Sequence, residues 1–328
     1  MNIMFKEWGG DMKKEVKVAM IGIGAIGERV LRKFQYHSGV ELVAVCDQNA
    51  EKLQALKEEL EDVSLHTNYI DMLQKNEIDL VYIAVPPKYH HEIVLYVLKQ
   101  KKHVLCEKPL ANSLNEAIEM LEAAREARVT HAMNFPMVYT NVYQLFKDKV
   151  LTGEIGEVKR VEVHLHFTEW PRAWQKNNWI SSREQGGFIR EVAPHYIHMI
   201  HDMLGELHDV TSFVDYPENE SLCETAFVTH MKLQNGVTVL FNGVSGIGQK
   251  EHLSFKVFGE KGTLDLTNWS QLCMSSPDKQ TSVLPIERTE QHDIVMEILN
   301  AIEGKEAKIV TFEQGYQVQQ VLEKMLKK

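Results

Sequence analysis

From Val16 onward, short apolar runs alternate with stretches of helical spacing. VKVAMI leads through Gly22-x-Gly24-x-x-Gly27 into ERVLRKF, and LVAVCD is followed by the polar helix AEKLQALKEEL and a short helix near YIDMLQ. The strand DLVYIAVPP precedes the helix HHEIVLYVLKQ, and the strand HVLCEKP precedes SLNEAIEMLEAAREA. This alternation predicts an α/β fold, a doubly wound parallel sheet with crossover helices, whose ligands sit beyond the carboxyl ends of the strands. The glycine turn, Asp47, Val85-Pro86-Pro87 and Cys106-Glu107-Lys108-Pro109 all fall at those ends.

Past about Thr130 the texture changes to strict alternation. VKRVEVHLHFTEW, ETAFVTHMKL, VTVLFNGVSG and HLSFKVFGEKGTLDLTN are separated by turn signals such as Gln234-Asn235-Gly236 and Glu260-Lys261-Gly262. They predict an open, mostly antiparallel sheet with one face covered, in a second domain of α+β type. The expected division is a disordered leader over 1–14, with Met12 as an alternative start, a dinucleotide-binding domain over 15–130, and a substrate-binding and oligomerisation domain over 131–328. The free sheet face is the expected surface for a homodimer or homotetramer.

The glycine turn carries the first chemical inference. Glycines between a strand and a helix let backbone N–H groups approach a pyrophosphate, and Gly22, Gly24, Ala25, Ile26 and Gly27 occupy that turn. Asp47 stands 25 positions after Gly22, where an acid accepts hydrogen bonds from a ribose 2′-hydroxyl and repels a 2′-phosphate. The expected cofactor is therefore NAD rather than NADP. Structural readings compete: a packing turn for the glycines and a strand-end turn former for Asp47.

Composition narrows the classes. The 328 residues suit about two domains, and 44% hydrophobic with 25% charged residues is ordinary for a globular protein. A net charge of −10 argues against nucleic acid as partner, and the apolar stretches are strand-sized, which argues against a membrane span. MNIMFKEWGGDMKKE lacks the apolar core of a signal peptide. Cys46, Cys106, Cys223 and Cys273 are scattered without CxxC pairing, which suits reduced thiols and a cytoplasmic setting.

Three segments together resemble the Gfo/Idh/MocA oxidoreductases, the family that includes glucose–fructose oxidoreductase and inositol dehydrogenase. They are the glycine turn, VPPKYHHEIVLYVLKQKKHVLCEKPLA and GGFIREVAPHYIHMIHDMLG; LTGEIGEVKRVEVH and VFGEKGTLDL also look like its recurring pieces. The resemblance runs from about Val16 to the end. It implies a Rossmann domain followed by an open α/β sheet domain that commonly pairs subunits. It also implies that Val85, Pro86, His90, Glu107 and Lys108 join the cofactor site, with His90 at the family's common histidine, where a structural role is the better expectation. Lys108 matches the EKP lysine and His195 the motif histidine.

Oxidation of an alcohol requires removal of the hydroxyl proton while hydride leaves the same carbon. His195 suits the base, since imidazole titrates near neutrality, and Lys108 suits an alkoxide stabiliser or proton relay. Pro109 is expected to fix the loop, with a cis bond compatible. Glu191 lies four residues before His195, so on a helix the two share a face; the carboxylate is expected to hold the imidazole's tautomer and favour its charged form. The family more often has aspartate there, preceded by apolar residues rather than Arg190. The competing readings are a surface lysine, a packed histidine, and an ion pair of Glu191 with Arg190 or Arg183.

The segment EWPRAWQKNNWISSREQGG holds Trp170, Arg172, Trp174, Trp179 and Arg183. Tryptophan stacks on sugar rings and arginine binds carboxylate or phosphate, so this loop is expected to cover a polyol or sugar, an anionic one included. A satellite core is the equal alternative. Asn134, Tyr139, Arg190 and His195 complete the candidate substrate residues, although Phe135 and Pro136 replace the family's arginine after that asparagine. His195, His198 and His201 drift around a helix and lack an acidic ligand, so no metal is expected. The function expected is hydride transfer between NAD and a carbinol or carbonyl carbon of a sugar, cyclitol or related polyol. The alternatives are reduction of an unsaturated or imine substrate, or a catalytically idle nucleotide-bound sensor.

Overall fold

The computed structural model describes residues 15–175, 177–287 and 293–327, and the chain divides into two units between Ala84 and Val85. The leader expected over residues 1–14 lies outside the described residues.

In the first unit β1 (Val16–Ile21), α1 (Ala25–Gln35), β2 (Val40–Cys46), α2 (Ala50–Leu56), β3 (Ser64–His66), α3 (Tyr69–Lys75) and β4 (Leu80–Ile83) follow one another. The strands lie in the order β3-β2-β1-β4, all parallel. β1 and β4 are almost wholly buried, which is why they read as unbroken apolar runs rather than as alternation. Asn49 and Asn68 start α2 and α3, each side-chain oxygen accepting two backbone N–H bonds that the helix leaves open. α2 ends at Leu56, short of the pattern in AEKLQALKEEL, because Leu60 turns inward and Glu59 meets Arg32 of α1 at 2.5 Å. β3 has three residues, too few to show a period.

The second unit runs α4 (His90–Lys99), β5 (His103–Glu107), α5 (Leu114–Ala127), β6 (His131–Asn134), α6 (Asn141–Leu151), β7 (Val158–Phe167) and α7 (Phe188–Leu204). It continues with β8 (Leu207–Asp215), β9 (Ala226–Leu233), β10 (Thr238–Ser245), β11 (His252–Gly259), β12 (Thr263–Thr267), β13 (Gln271–Ser276), β14 (Lys279–Val283), α8 (Ile294–Ile302) and α9 (Phe312–Leu326). β5 and β6 pair in parallel, placing Glu107 opposite Asn134. The remaining strands form a sheet in the order β14-β13-β12-β11-β7-β10-β9-β8. It is antiparallel except where β7 meets β10 in parallel, an exception the sequence could not reveal because alternation has the same period in both arrangements.

Val161, Val163, Leu165 and Phe167 of β7 point inward, each stabilising by about 1.5–3 kcal/mol on burial. Arg160, Glu162, His164 and His166 alternate with them on the other face. Helices α6, α7 and α9 cover the apolar face. The opposite face leaves the cross-strand pair Phe213 and Val228 exposed at 74% and 51%. No helix among the described residues is long and apolar enough to cross a membrane, and the four cysteines are free thiols.

α7 is the axis of this unit. At its start Phe188 packs against Phe167, Trp170 and Phe227, and a Cβ at Gly243 would fall 2.1 Å from the Phe227 ring, so glycine makes room for the cluster. Farther along, His198 stacks on Phe135 at 4.8 Å. With His201, Asp202, Glu206, Gln314 and Gln317, His198 lines a pocket of about 150 Å³. Burial resists the charge on Asp202, yet hydrogen bonds from Lys147 and Tyr143 hold its pKa below the usual range. Burial pushes His198 and His201 down to about 4.

Two outcomes follow. A Cβ at Gly27 would lie 2.2 Å from the Gly22 carbonyl oxygen, so Gly27→Ala is expected to destabilise by about 1–3 kcal/mol in urea unfolding. His198 and His201 stay neutral in the fold, whereas an unfolded chain protonates them near 6.5. Their contribution is complete above that value and is lost as pH falls toward about 4, by up to about 3 kcal/mol each. Unfolding free energies measured across that window should decline on acidification, and His198→Phe should flatten the slope.

Candidate active site

The glycine turn of the first unit has the form of a phosphate cradle. Gly22 adopts φ 95°, a left-handed conformation open to glycine, and its N–H donates to the Cys46 carbonyl at 2.8 Å. Gly24 precedes α1 without a side-chain cap, and a Cβ there would meet nothing within 4 Å, so the first N–H groups of the helix stay approachable. Ala25 and Ile26 open the helix, with Ile26 38% exposed. Asp47 braces the turn: one oxygen accepts the Ile23 N–H and the other the Asn49 N–H, each at 2.8 Å. Each carboxylate oxygen keeps a further lone pair, so a ribose hydroxyl fits beside the turn. These residues suit a dinucleotide.

In the second unit the end of β5 delivers Lys108, followed by a cis bond to Pro109. Its ammonium donates to the Glu191 backbone carbonyl at 3.0 Å and to the Glu191 carboxylate at 3.3 Å. The two side chains are only 12% and 13% exposed. Val85 and Pro86 form the loop before α4, and His90 staples it: its fully buried ring has Nε2 2.9 Å from the Val85 carbonyl and Nδ1 3.0 Å from that of Pro109. That leaves the imidazole no free nitrogen for a ligand, so the expected cofactor contact by His90 gives way to a structural one. Burial lowers its pKa, so one ring N–H donates at a time. Glu107 accepts a hydrogen bond at 2.5 Å from the amide nitrogen of Asn134, a residue expected to line a substrate pocket, and the bond ties the ends of β5 and β6 together.

His195 lies one turn of α7 beyond Glu191 but is not held by it. Lys108 takes the carboxylate, and the imidazole Nδ1 is buried without a partner among the described residues. The expectation that Glu191 fixes the tautomer and favours the charged form is therefore corrected. Burial, then the positive charges of Lys108 and Arg172, push His195 well below its ordinary pKa, so the ring is neutral. Its walls are aromatic: Phe135 meets it edge-on at 5.7 Å and Trp269 at 5.6 Å. Trp269, stacked on Tyr196 at 4.7 Å, sits in a left-handed turn between β12 and β13. No local signal in the sequence marks it.

The start of α7 was equally invisible. Gly187 caps the helix at φ 96°, and the buried Glu224 carboxylate accepts the Ile189 N–H at 2.6 Å. A Cβ at Gly187 would fall 2.2 Å from that carboxylate. Burial raises Glu224 to about 6 against the backbone N–H bonds and Arg190.

The loop before α7 divides. Trp170 belongs to the satellite core, its indole N–H on the Ile180 carbonyl at 3.3 Å. Arg172 is spent on Glu251 at 2.8 and 3.1 Å and lies over Phe167 and Trp170. Trp174 remains 54% exposed and Trp179 half-buried. Tyr139 is brought to none of Lys108, Glu191 and His195; burial, then Glu297 of α8, raises its hydroxyl. Glu191 pairs with neither Arg183 nor Arg190. The His195, His198 and His201 series forms no metal-binding group among the described residues.

Residues 16–135 match the family model described as oxidoreductase family, NAD-binding Rossmann fold, of the Gfo/Idh/MocA group, and residues 147–328 match its C-terminal alpha/beta domain. The chain is 28% identical over 200 residues to 2,7-anhydro-N-acetylneuraminate hydratase of Escherichia coli K12, covering 61% of this chain and 52% of that protein. It is 32% identical over 144 residues to D-glucoside 3-dehydrogenase of the same organism, covering 44% and 41%. The match thus spans about half the length of either relative or less. The WlbA dehydrogenase of Bordetella pertussis, solved with NADH and UDP-GlcNAcA, shares the fold at a TM-score of 0.83, with 20% identity over 95% of both chains. With both family domains matched in order along most of its length, the chain belongs to the Gfo/Idh/MocA oxidoreductase family.

Proposed function

We propose that this protein is an NAD-dependent dehydrogenase or reductase acting on a carbinol or carbonyl carbon of a sugar, cyclitol or related polyol. The observation that carries the reading is the buried group of Lys108, Glu191 and a neutral His195. Sugar-linked relatives support the substrate class: a D-glucoside 3-dehydrogenase by sequence, and a dehydrogenase solved with UDP-GlcNAcA by fold. In this reading Gly22, Gly24, Gly27 and Asp47 hold NAD, which when bound supplies the hydride acceptor.

The residues then divide the proton work. Lys108 donates a hydrogen bond to the substrate oxygen and stabilises charge that develops there. Glu191 keeps that ammonium in place through two bonds, so the lysine reaches its substrate oriented. His195, kept neutral, has an unprotonated ring nitrogen that accepts the hydroxyl proton in oxidation and returns it in reduction. The domains proposed for these tasks remain 15–130 for the dinucleotide and 131–328 for the substrate and assembly, in a cytoplasmic protein.

Lys108→Met is expected to leave NADH binding within error while lowering kcat by about 10²–10⁴-fold on a sugar or polyol that the wild type oxidises; retained turnover removes Lys108 from the chemistry. Asp47→Ala should weaken NAD by about tenfold or more and NADP little in fluorescence titrations, since only the 2′-hydroxyl loses an acceptor. The open sheet face is the proposed homo-oligomer surface. Phe213→Asp should shift the molar mass measured by light scattering toward the monomer, and an unchanged mass would place assembly elsewhere.

A further inference from the structure

We propose that Arg183 and Arg190 form an anion subsite that takes a carboxylate or phosphate group of the substrate. Two short segments are knitted into one piece before α7. The Arg183 N–H donates to the Ser221 carbonyl at 2.8 Å, the Cys223 N–H donates to that of Ser181 at 2.9 Å, and the Ile189 N–H donates to Glu224 at 2.6 Å. Both arginines issue from this piece. The Arg183 guanidinium lies 3.8 Å over the Tyr216 ring, whose hydroxyl is pushed up by burial and by Glu224 against the positive charges of Arg183 and Arg190.

Among the described residues, neither forms an ion pair with a carboxylate. Nε of Arg183 and both Nε and Nη1 of Arg190 are buried without a hydrogen-bond partner among the described residues. Arg32, Arg125, Arg160 and Arg172, by contrast, each pair with a glutamate. The acid of the cluster, Glu224, gives one oxygen to the Ile189 N–H and lays the other over Gly187. Buried charged donors left unbonded are costly, so such nitrogens on both arginines point to a partner supplied from outside the chain. A guanidinium fork matches a carboxylate or phosphate by paired hydrogen bonds, and the ring under Arg183 holds its plane.

Arg190 immediately precedes Glu191, which orients Lys108. As a substrate subsite the cluster rests on the proposed function; as an anion site it does not. It predicts a sugar acid or sugar phosphate as the preferred substrate.

Titration calorimetry with inorganic phosphate and with malonate separates the two sources of negative charge. Wild type is expected to bind at least one of them saturably, and Arg183→Ala and Arg190→Ala to weaken it by about tenfold or more, with NADH binding retained as a check on folding. Arg190→Lys, which keeps the charge but not the fork, should fall between. Binding that is absent in wild type, or unchanged in both alanine variants, overturns the subsite. With substrates offered as matched neutral sugar, sugar acid and sugar phosphate, Arg190→Lys should raise KM for the preferred anion more than for the neutral sugar; an equal effect on all three overturns its role in specificity. If phosphate or malonate binding depends on the arginines but no sugar of the panel is turned over, the subsite stands and the dehydrogenase reading fails.

Discussion

The bond between the Lys108 ammonium and Glu191 organises the second unit's chemistry. It joins the end of a parallel strand to the helix that carries His195, across 83 positions of sequence, and it does so with both side chains nearly buried. A buried ion pair of this kind is weak as a source of stability, because desolvation offsets most of the attraction. Removing one partner is another matter, since the other is left charged and uncompensated. The pair therefore fixes position more than it adds free energy, and it also decides the state of the histidine: with the carboxylate committed to lysine, nothing acidic counters the burial of His195.

Helix α7 is held from both ends by groups that local sequence does not advertise. A glycine at positive φ starts it, a carboxylate from between β8 and β9 caps it, and an aromatic cluster seated against Gly243 presses its first turn onto the sheet. Two neutral histidines occupy its far half. A helix pinned this way holds Glu191, His195 and Arg190 at fixed angles around one cylinder, which suits residues that must meet different neighbours. Trp269 and Phe135 then wall the imidazole with rings and add to the burial that keeps it uncharged.

The first unit works by a simpler rule. Three glycines shape a strand-to-helix turn for three different reasons: a left-handed conformation, an open approach and a close packing contact. Asp47 reaches back to brace the same turn it was expected to serve. The acid is thus part of the scaffold as well as a candidate ribose contact, which makes its removal a test of binding that must be read beside a test of folding.

Much of the architecture was legible along the chain because it depends on local period. Buried parallel strands appear as apolar runs, half-buried strands as alternation, and glycine turns as spacing, so the two-part α/β design and the phosphate cradle were readable from residues alone. The shortness of β3, the end of α2 at Leu56 and the parallel meeting of β7 with β10 were not, since each depends on what a segment packs against. The candidate site divides in the same way. Lys108, Glu191 and His195 were recognisable as residue types in a motif, but which of them bonds to which was decided only when β5 and α7 came together. The sequence by itself determined which elements form and which chemical groups they carry; the tertiary structure alone decided that Glu191 serves the lysine, that His195 is neutral between Phe135 and Trp269, and that Arg183 stacks on Tyr216, because partner choice is a matter of distance and burial that no local pattern encodes.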